Sequence, residues 1–173
     1  MDLSFPIGKF DKTQPVDPAA IPALIADIEA LPALMSSATA GLTAEQLDTP
    51  YRPGGWTVRQ TVHHVADSHM NSAIRLRLAL TETEPTIRPY EQQLWAELAD
   101  ARTSPIELSL DLLRSLHARW VILLKSMAPE DFSRAFRHPE LGLVRLDTNL
   151  ALYSWHGKHH TAHITGLRQR MNW

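Results

Sequence analysis

The chain has 173 residues, 44% hydrophobic and 21% charged, with a formal net charge of -2; this is the composition of a single globular domain whose core forms without staples. The absence of cysteine excludes disulfides, thiolate nucleophiles and cysteine-ligated zinc. Near-neutral charge without a dense Lys/Arg run argues against a nucleic-acid partner, and no stretch approaches the roughly 18 apolar residues of a membrane span.

The opening segment carries an early acid and no apolar h-region, so it does not read as a signal peptide, and a cytoplasmic protein is expected. Its prolines suggest an extended arm over residues 1–17, packed on the body of the domain or on a partner. A first helix is expected from Pro18 to Ala40, with Ile21, Leu24, Ile25 and Ile28 at helical spacing and Pro32 kinking or interrupting it. Thr43-Ala44-Glu45-Gln46 fits a capping box and a short helical turn. After the Pro/Gly loop from Tyr51 to Gly55, a second capping box, Thr57 to Gln60, opens a helix running to Leu80. Glu82 to Tyr90 reads as a loop, followed by a short helix over Glu91 to Leu98.

Ser104-Pro105-Ile106-Glu107 combines a capping box with proline at the first helical position. It predicts a helix carrying Leu108, Leu112, Leu116, Trp120 and Leu123 to Met127. Phe132 to Leu146 shows no clear period and reads as a loop, with no hairpin signal anywhere in the chain. Asp147 is placed to cap a last helix from Thr148 to Met171. Four long helices predict an all-α fold, a four-helix bundle over residues 18–173, with connections too long to assure simple up-down topology.

Seven of the nine histidines fall in two short stretches. In the last helix His156, His160 and His163 share a side with Leu152, Tyr153, Ile164, Leu167 and Met171, while Lys158, Thr161, Ala162 and Thr165 take the other. The His156–His160 spacing of four lets two imidazoles converge on one cation. His159 and His163 form a second such pair, with His159 nearer the edge of the buried arc. Buried neutral imidazoles each need partners, which makes a metal site the economical reading of this helix.

The earlier helix offers His63, His64 and His69. His69 lies on the apolar stripe with Val62, Val65 and Leu76; His64 lies on a polar stripe with Ser68, Asn71 and Arg75, either a solvated face or the wall of a cleft. His63 reads as a surface residue. Trp56 and Trp155 read first as core anchors; Trp95, Trp120 and Trp173 carry no functional signal.

Several segments together resemble the YfiT-like branch of the DinB superfamily. They are Phe5 to Phe10, Tyr51 to Gln60, His63 to Asn71, Pro85 to Tyr90, and the histidine-rich stretch of the last helix. Trp56, His64 and Asp67 match the family's Trp–His–Asp spacing, and His156 and His160 match its closing His-x-x-x-His. The resemblance covers essentially the whole chain. It implies a four-helix bundle holding one divalent metal on His64, His156 and His160, thus choosing His64 over His69. His163 stands where related proteins often carry Gln, as a further imidazole or a substrate contact.

Three neutral imidazoles leave a divalent cation its full charge and an open position, so zinc, or nickel, cobalt or iron on the same ligands, would activate a water at neutral pH. Asp67 is the nearest candidate base or orienting acceptor, and Arg75 could hold an anionic substrate group or pair with Glu82. The expected activity is metal-dependent hydrolysis of a small molecule. The alternatives are transfer of a low-molecular-weight thiol such as bacillithiol or mycothiol on the same ligands, and a non-enzymatic metal-stapled stress-response module with a closed coordination shell. The family and the proline-rich arm point to a homodimer.

Overall fold

The structure, a computed structural model, describes residues 2–173. Met1, the first residue of the expected arm, lies outside the described residues. Residues 2–17 run through turns without regular structure; Phe5, Gly8 and Phe10 contact the last helix near its histidines. A 3-10 turn, Pro18–Ala20, leads into α1 (Ile21–Thr39), followed by α2 (Ala44–Leu47), α3 (Val58–Thr81), α4 (Gln92–Trp95), α5 (Ala99–Thr103) and α6 (Glu107–Ser126). A second 3-10 turn, Pro129–Ser133, precedes strands β1 (Ala135–His138) and β2 (Gly142–Arg145), and α7 (Leu146–Met171) closes the chain.

The four long helices form the bundle. α1 packs against α6 and α7, and α3 packs against the same two. The sequential pairs α1/α3 and α6/α7 therefore sit on diagonals, which the long connections permit and a simple up-down order would not.

Local chemistry sets two helix starts, those of α2 and α3. Thr43 with Gln46, and Thr57 with Gln60, form complete capping boxes, each side chain satisfying the other's orphan backbone donor. The third expected box does not form. Ser104 ends α5, Ile106 caps α6 without a side-chain bond, and the Ser104 carbonyl accepts from Arg59 Nη1–H at 2.9 Å and from His63 Nε2–H at 3.2 Å. The Ser104 amide that the box would have paired with Glu107 instead donates to Asp100 O at 3.1 Å, closing α5. Asp147 lies inside the first turn of α7 rather than at its cap, paired with Arg145 and accepting from the Thr148 amide.

Two sequence expectations are corrected. Pro32 does not interrupt α1, which runs unbroken through it. A proline removes the donor to the carbonyl four residues back, here Ile28, and that carbonyl instead accepts from His117 Nδ1–H at 2.6 Å. The expected loop over 132–146 contains a hairpin, β1 pairing antiparallel with β2 from Ala135↔Arg145 to His138↔Gly142. Gly142, at φ +75, supplies the left-handed residue after the three-residue turn. The strands are only four residues each and lean on a distant segment: Ile87 N–H donates to Arg137 O, and Arg137 N–H donates to Pro85 O. Such short pairs are stabilised by tertiary contacts, not by local periodicity.

One helical stretch, Pro18–Thr39, does have the length and mean hydropathy of a membrane span, against the sequence expectation. In the bundle its Ile25, Ile28, Leu31, Met35 and Ala38 are buried. Mid-helix Asp27 pairs with Lys158, and Glu29 pairs with Lys125 at 2.8 Å, charges that a spanning helix would bear at high cost.

The apolar interior divides in two. One cluster gathers Ile25, Ile28, Leu76, Trp120, Leu124, Phe136, Leu146 and Leu150; the other gathers Leu31, Met35, Val58, Val62, Val65, Ile106, Leu113, Ile164 and Leu167. Along each long helix of the bundle the seam between clusters falls at the same level. At that level α3 carries His69, α6 carries His117 and α7 carries His156 and His160.

Candidate metal centre

α3 and α7 pack side by side, which brings His64 to face His156 and His160 one turn apart on α7. One nitrogen from each of the three lies within 4.8 Å of the others. The Nε2 atoms of His64 and His156 are 3.2 Å apart, and the His156 and His160 rings meet edge-on at 4.5 Å between centroids. His64 and His160 are buried, and His156 is partly so. Burial drives all three toward the neutral form: His64 is pushed down to about 4, with His159 adding to the effect, and His156 and His160 are held well below the usual imidazole range. Three neutral imidazoles with converging lone pairs fit a borderline divalent cation such as zinc, cobalt or nickel. A second grouping, His159, His160 and His163, is equally close-set and shares His160 with the first.

These residues line a cavity of about 340 Å³ with Ser4, Phe5, Tyr51, Arg52, Trp56, Gln92, Gln93 and Trp155. Among the described residues its lining contains one arginine and no carboxylate. A larger cavity of about 580 Å³ lies between α1 and α6 but, of the histidines, contains only His117, so it is not the centre of the chemistry.

Trp56 and Trp155 wall this cavity rather than anchoring the core. Trp56 packs on His64 with centroids 4.5 Å apart and donates its indole N–H to Gln93 Oε1 at 3.1 Å. Trp155 stacks on His159 at 4.4 Å and donates to the Gly8 carbonyl. Tyr51, which the sequence did not single out, stacks on His163 at 3.9 Å. His163 lines the cavity, with Nδ1 3.3 Å from His160 Nδ1 and Nε2 3.3 Å from the Ser4 carbonyl. His159 Nδ1 is buried without a hydrogen-bond partner among the described residues.

The remaining expected residues sit elsewhere. Asp67 is partly buried on α3, and its carboxyl pKa is raised to about 6, first by burial and then by Asp100. Neither Asp67 nor Arg75 lines the cavity. Arg75 reaches the Arg88 carbonyl at 3.4 Å, and no Arg75–Glu82 ion pair forms among the described residues. His63 is buried, not superficial: its Nδ1 is 2.7 Å from Ser109 Oγ and its Nε2 faces Ser104, so it staples α3 to α6. The polar stripe of His64, Ser68, Asn71 and Arg75 is therefore no solvated face, since His64 and Ser68 are buried and Asn71 is partly so. His69, fully buried, touches the centre through His156 Nδ1 at 3.2 Å rather than joining the close-set nitrogens. His117 was missed entirely; a lone histidine on an apolar face gives no local sign of partners on two other helices, Ile28 of α1 and His69 of α3.

The family model of the DinB superfamily matches residues 27–164. A protein of Bacillus cereus strain 03BB102, named "Putative metal-dependent hydrolase", is 55% identical over 172 residues, covering 99% of each chain. One of Bacillus anthracis with the same name is 54% identical over the same length. Among solved structures, YfiT from Bacillus subtilis superposes with a TM-score of 0.96 at 47% identity, over 100% of this chain and 99% of its own; it is described as "a probable metal-dependent hydrolase with an unusual four-helix bundle topology". TT2238, a four-helix bundle protein, matches at TM-score 0.55 and 18% identity over 86% of this chain, a likeness of fold alone.

Proposed function

Because this chain belongs to the DinB superfamily, we propose that it is a metal-dependent hydrolase of a small molecule, with His64, His156 and His160 as ligands of one divalent ion. The carrying observation is the convergence of three imidazole nitrogens within 4.8 Å at a cavity of about 340 Å³. Zinc is our assignment, since neutral imidazole suits it and three protein ligands leave a position open. When bound, such an ion supplies Lewis-acid polarisation and a nucleophile at neutral pH.

The chain's own residues supply the rest. Burial keeps the three imidazoles neutral, each with one lone pair available to a cation. Trp56, Trp155, Phe5 and Tyr51 give the cavity aromatic walls against which a small substrate can pack. Arg52, without a competing carboxylate in the lining, favours a substrate with neutral or anionic groups. Of the three residues expected to assist, only His163 lines the cavity, and we assign no step to Asp67 or Arg75.

The test is metal content and zinc affinity of untagged protein, wild type against His64→Ala, His156→Ala, His160→Ala and His69→Ala. One ion per chain, lost at 64, 156 and 160 and still bound at 69, whatever its affinity there, supports the assignment. Retention in all three ligand variants overturns it. Turnover of model esters and amides with and without an added low-molecular-weight thiol then separates hydrolysis from thiol transfer, since hydrolysis needs no thiol.

A further inference from the structure

We propose that the two ligand imidazoles of α7 are held in their metal-binding tautomer by histidines that are not ligands, each relay ending on a backbone carbonyl. His117 and His69 act through His156, and His163 acts through His160. The inference rests on the ligand assignment above and goes beyond it by giving three further histidines a positioning role.

The longer relay begins at Pro32. Having no N–H, Pro32 leaves the Ile28 carbonyl without its helical donor. That carbonyl can only accept, so the His117 nitrogen 2.6 Å away, Nδ1, carries a proton. A neutral imidazole has one N–H, so His117 Nε2 is an acceptor, and it faces His69 Nδ1 at 3.1 Å. His69 Nδ1 must therefore donate, leaving His69 Nε2 to accept from His156 Nδ1 at 3.2 Å. With its proton on Nδ1, His156 presents a bare Nε2 toward His64 Nε2, the side where the ligand nitrogens converge. Every ring in this sequence lies in the seam between the two apolar clusters. His69 and His117 are shut off from solvent, and burial holds both in the neutral form. Reversing any one proton would set two lone pairs or two N–H groups against each other, and between His69 and His117 this would happen away from solvent.

The shorter relay has the same logic. The Ser4 carbonyl accepts from His163 Nε2–H at 3.3 Å, so His163 Nδ1 accepts from His160 Nδ1–H at 3.3 Å. His160 Nε2 then carries the free lone pair. A backbone atom of the N-terminal segment thereby sets the proton position of a ligand on the last helix. His163 is committed to this bond, which separates its role from that of a ligand in the alternative grouping His159, His160 and His163.

Partners that fix a ligand's tautomer typically change metal affinity by about 10–100-fold when lost. The test is zinc affinity of the full chain, by competition with a chromophoric chelator, for His69→Leu, His69→Gln, His163→Leu and His163→Gln, with thermal melts to confirm folding. Glutamine retains an acceptor for the ligand's Nδ1–H; leucine fills space without one. The leucine variants are expected to bind about 10–100-fold more weakly, and the glutamine variants near the wild-type value. Leucine variants that bind as tightly as wild type overturn the relay, and so do glutamine variants that fall as far as leucine. Two ions per wild-type chain also overturn it, by making His163 a ligand. Imidazole ¹⁵N spectra above the imidazole titration range read the tautomers directly and need no metal. The relay requires Nδ1–H on His69, His117, His156 and His160, and Nε2–H on His163. A proton on Nε2 of His156 or His160 refutes it even if the wild type binds no zinc, a result that would sink the ligand assignment alone.

Discussion

Gly157 lies between the ligands His156 and His160, where α7 crosses α1. A methyl added there would meet Leu31 Cδ2 at 2.7 Å, Cδ1 at 2.9 Å and Cγ at 3.2 Å, against an optimal carbon–carbon separation of about 3.5–4.0 Å. Leu31 is 2% exposed, so the displaced isobutyl group has no solvent to move into. Overpacking of this kind costs about 1–3 kcal/mol, while replacing a mid-helix glycine with alanine returns about 1 kcal/mol. Gly157→Ala should therefore be net destabilising by about 1 kcal/mol, or about 2–4 °C in Tm for a chain of this size. Leu31→Ala alone should cost about 2–5 kcal/mol. In that background the obstruction is gone and only the helix gain remains, so adding Gly157→Ala should stabilise by about 1 kcal/mol. The expected coupling is about 2 kcal/mol, within the range of contacting residues. Urea unfolding of the four metal-free proteins measures it. A Gly157→Ala protein more stable than wild type, with effects that simply add to those of Leu31→Ala, would refute the close α1–α7 approach.

Three other outcomes are expected. His64 has its pKa depressed to about 4 by burial; a base depressed in the fold stabilises above its unfolded value near 6.5 and loses that contribution as pH falls. Calorimetry of the metal-free protein should show Tm level above that value and dropping toward pH 4, with a milder drop in His64→Gln; an acid-insensitive Tm over that interval contradicts the burial. Asp67 is raised to about 6, chiefly by burial; the fold favours its neutral form, so its contribution is full below the unfolded value of 3.8 and is lost as pH rises through about 6. Asp67→Asn should thus raise Tm above pH 6 and leave it unchanged in strong acid, and the reverse pattern would show a stabilising ion pair instead. Thr57→Ala removes the acceptor for the Gln60 amide at the start of α3 and should cost about 1 kcal/mol in urea unfolding; no loss would mean that packing alone fixes that helix start.

The helices were legible wherever a local rule governs them. Capping boxes at Thr43 and Thr57 mark starts because their hydrogen bonds span only three residues. The inward arc of His156, His160 and His163 was visible because a helix imposes its own angular spacing. Local rules failed where a distant group competes. Ser104 looked like a cap, yet its amide closes α5 on Asp100 and its carbonyl is held by Arg59 and His63 of α3. The hairpin over Ala135–His138 and Gly142–Arg145 forms beside the segment at residues 85–87, a neighbour that its own residues do not announce.

For the centre, periodicity put His69 on the buried face and His64 on a polar one, and both observations hold. What periodicity could not supply is which buried face turns toward α7: His64 converges with His156 and His160, while His69 stands behind them. Pro32 is the plainest case. Its sequence meaning, a lost N–H, was readable at once, but the consequence belongs to the fold. The freed Ile28 carbonyl is met by His117 of α6, a residue 89 positions away in the chain. Sequence thus determined the long helices, the capping boxes at Thr43 and Thr57 and the inward imidazoles of the last helix, because these depend on near neighbours. The tertiary structure alone decided which imidazoles converge and which stand behind them, because that depends on how four helices cross.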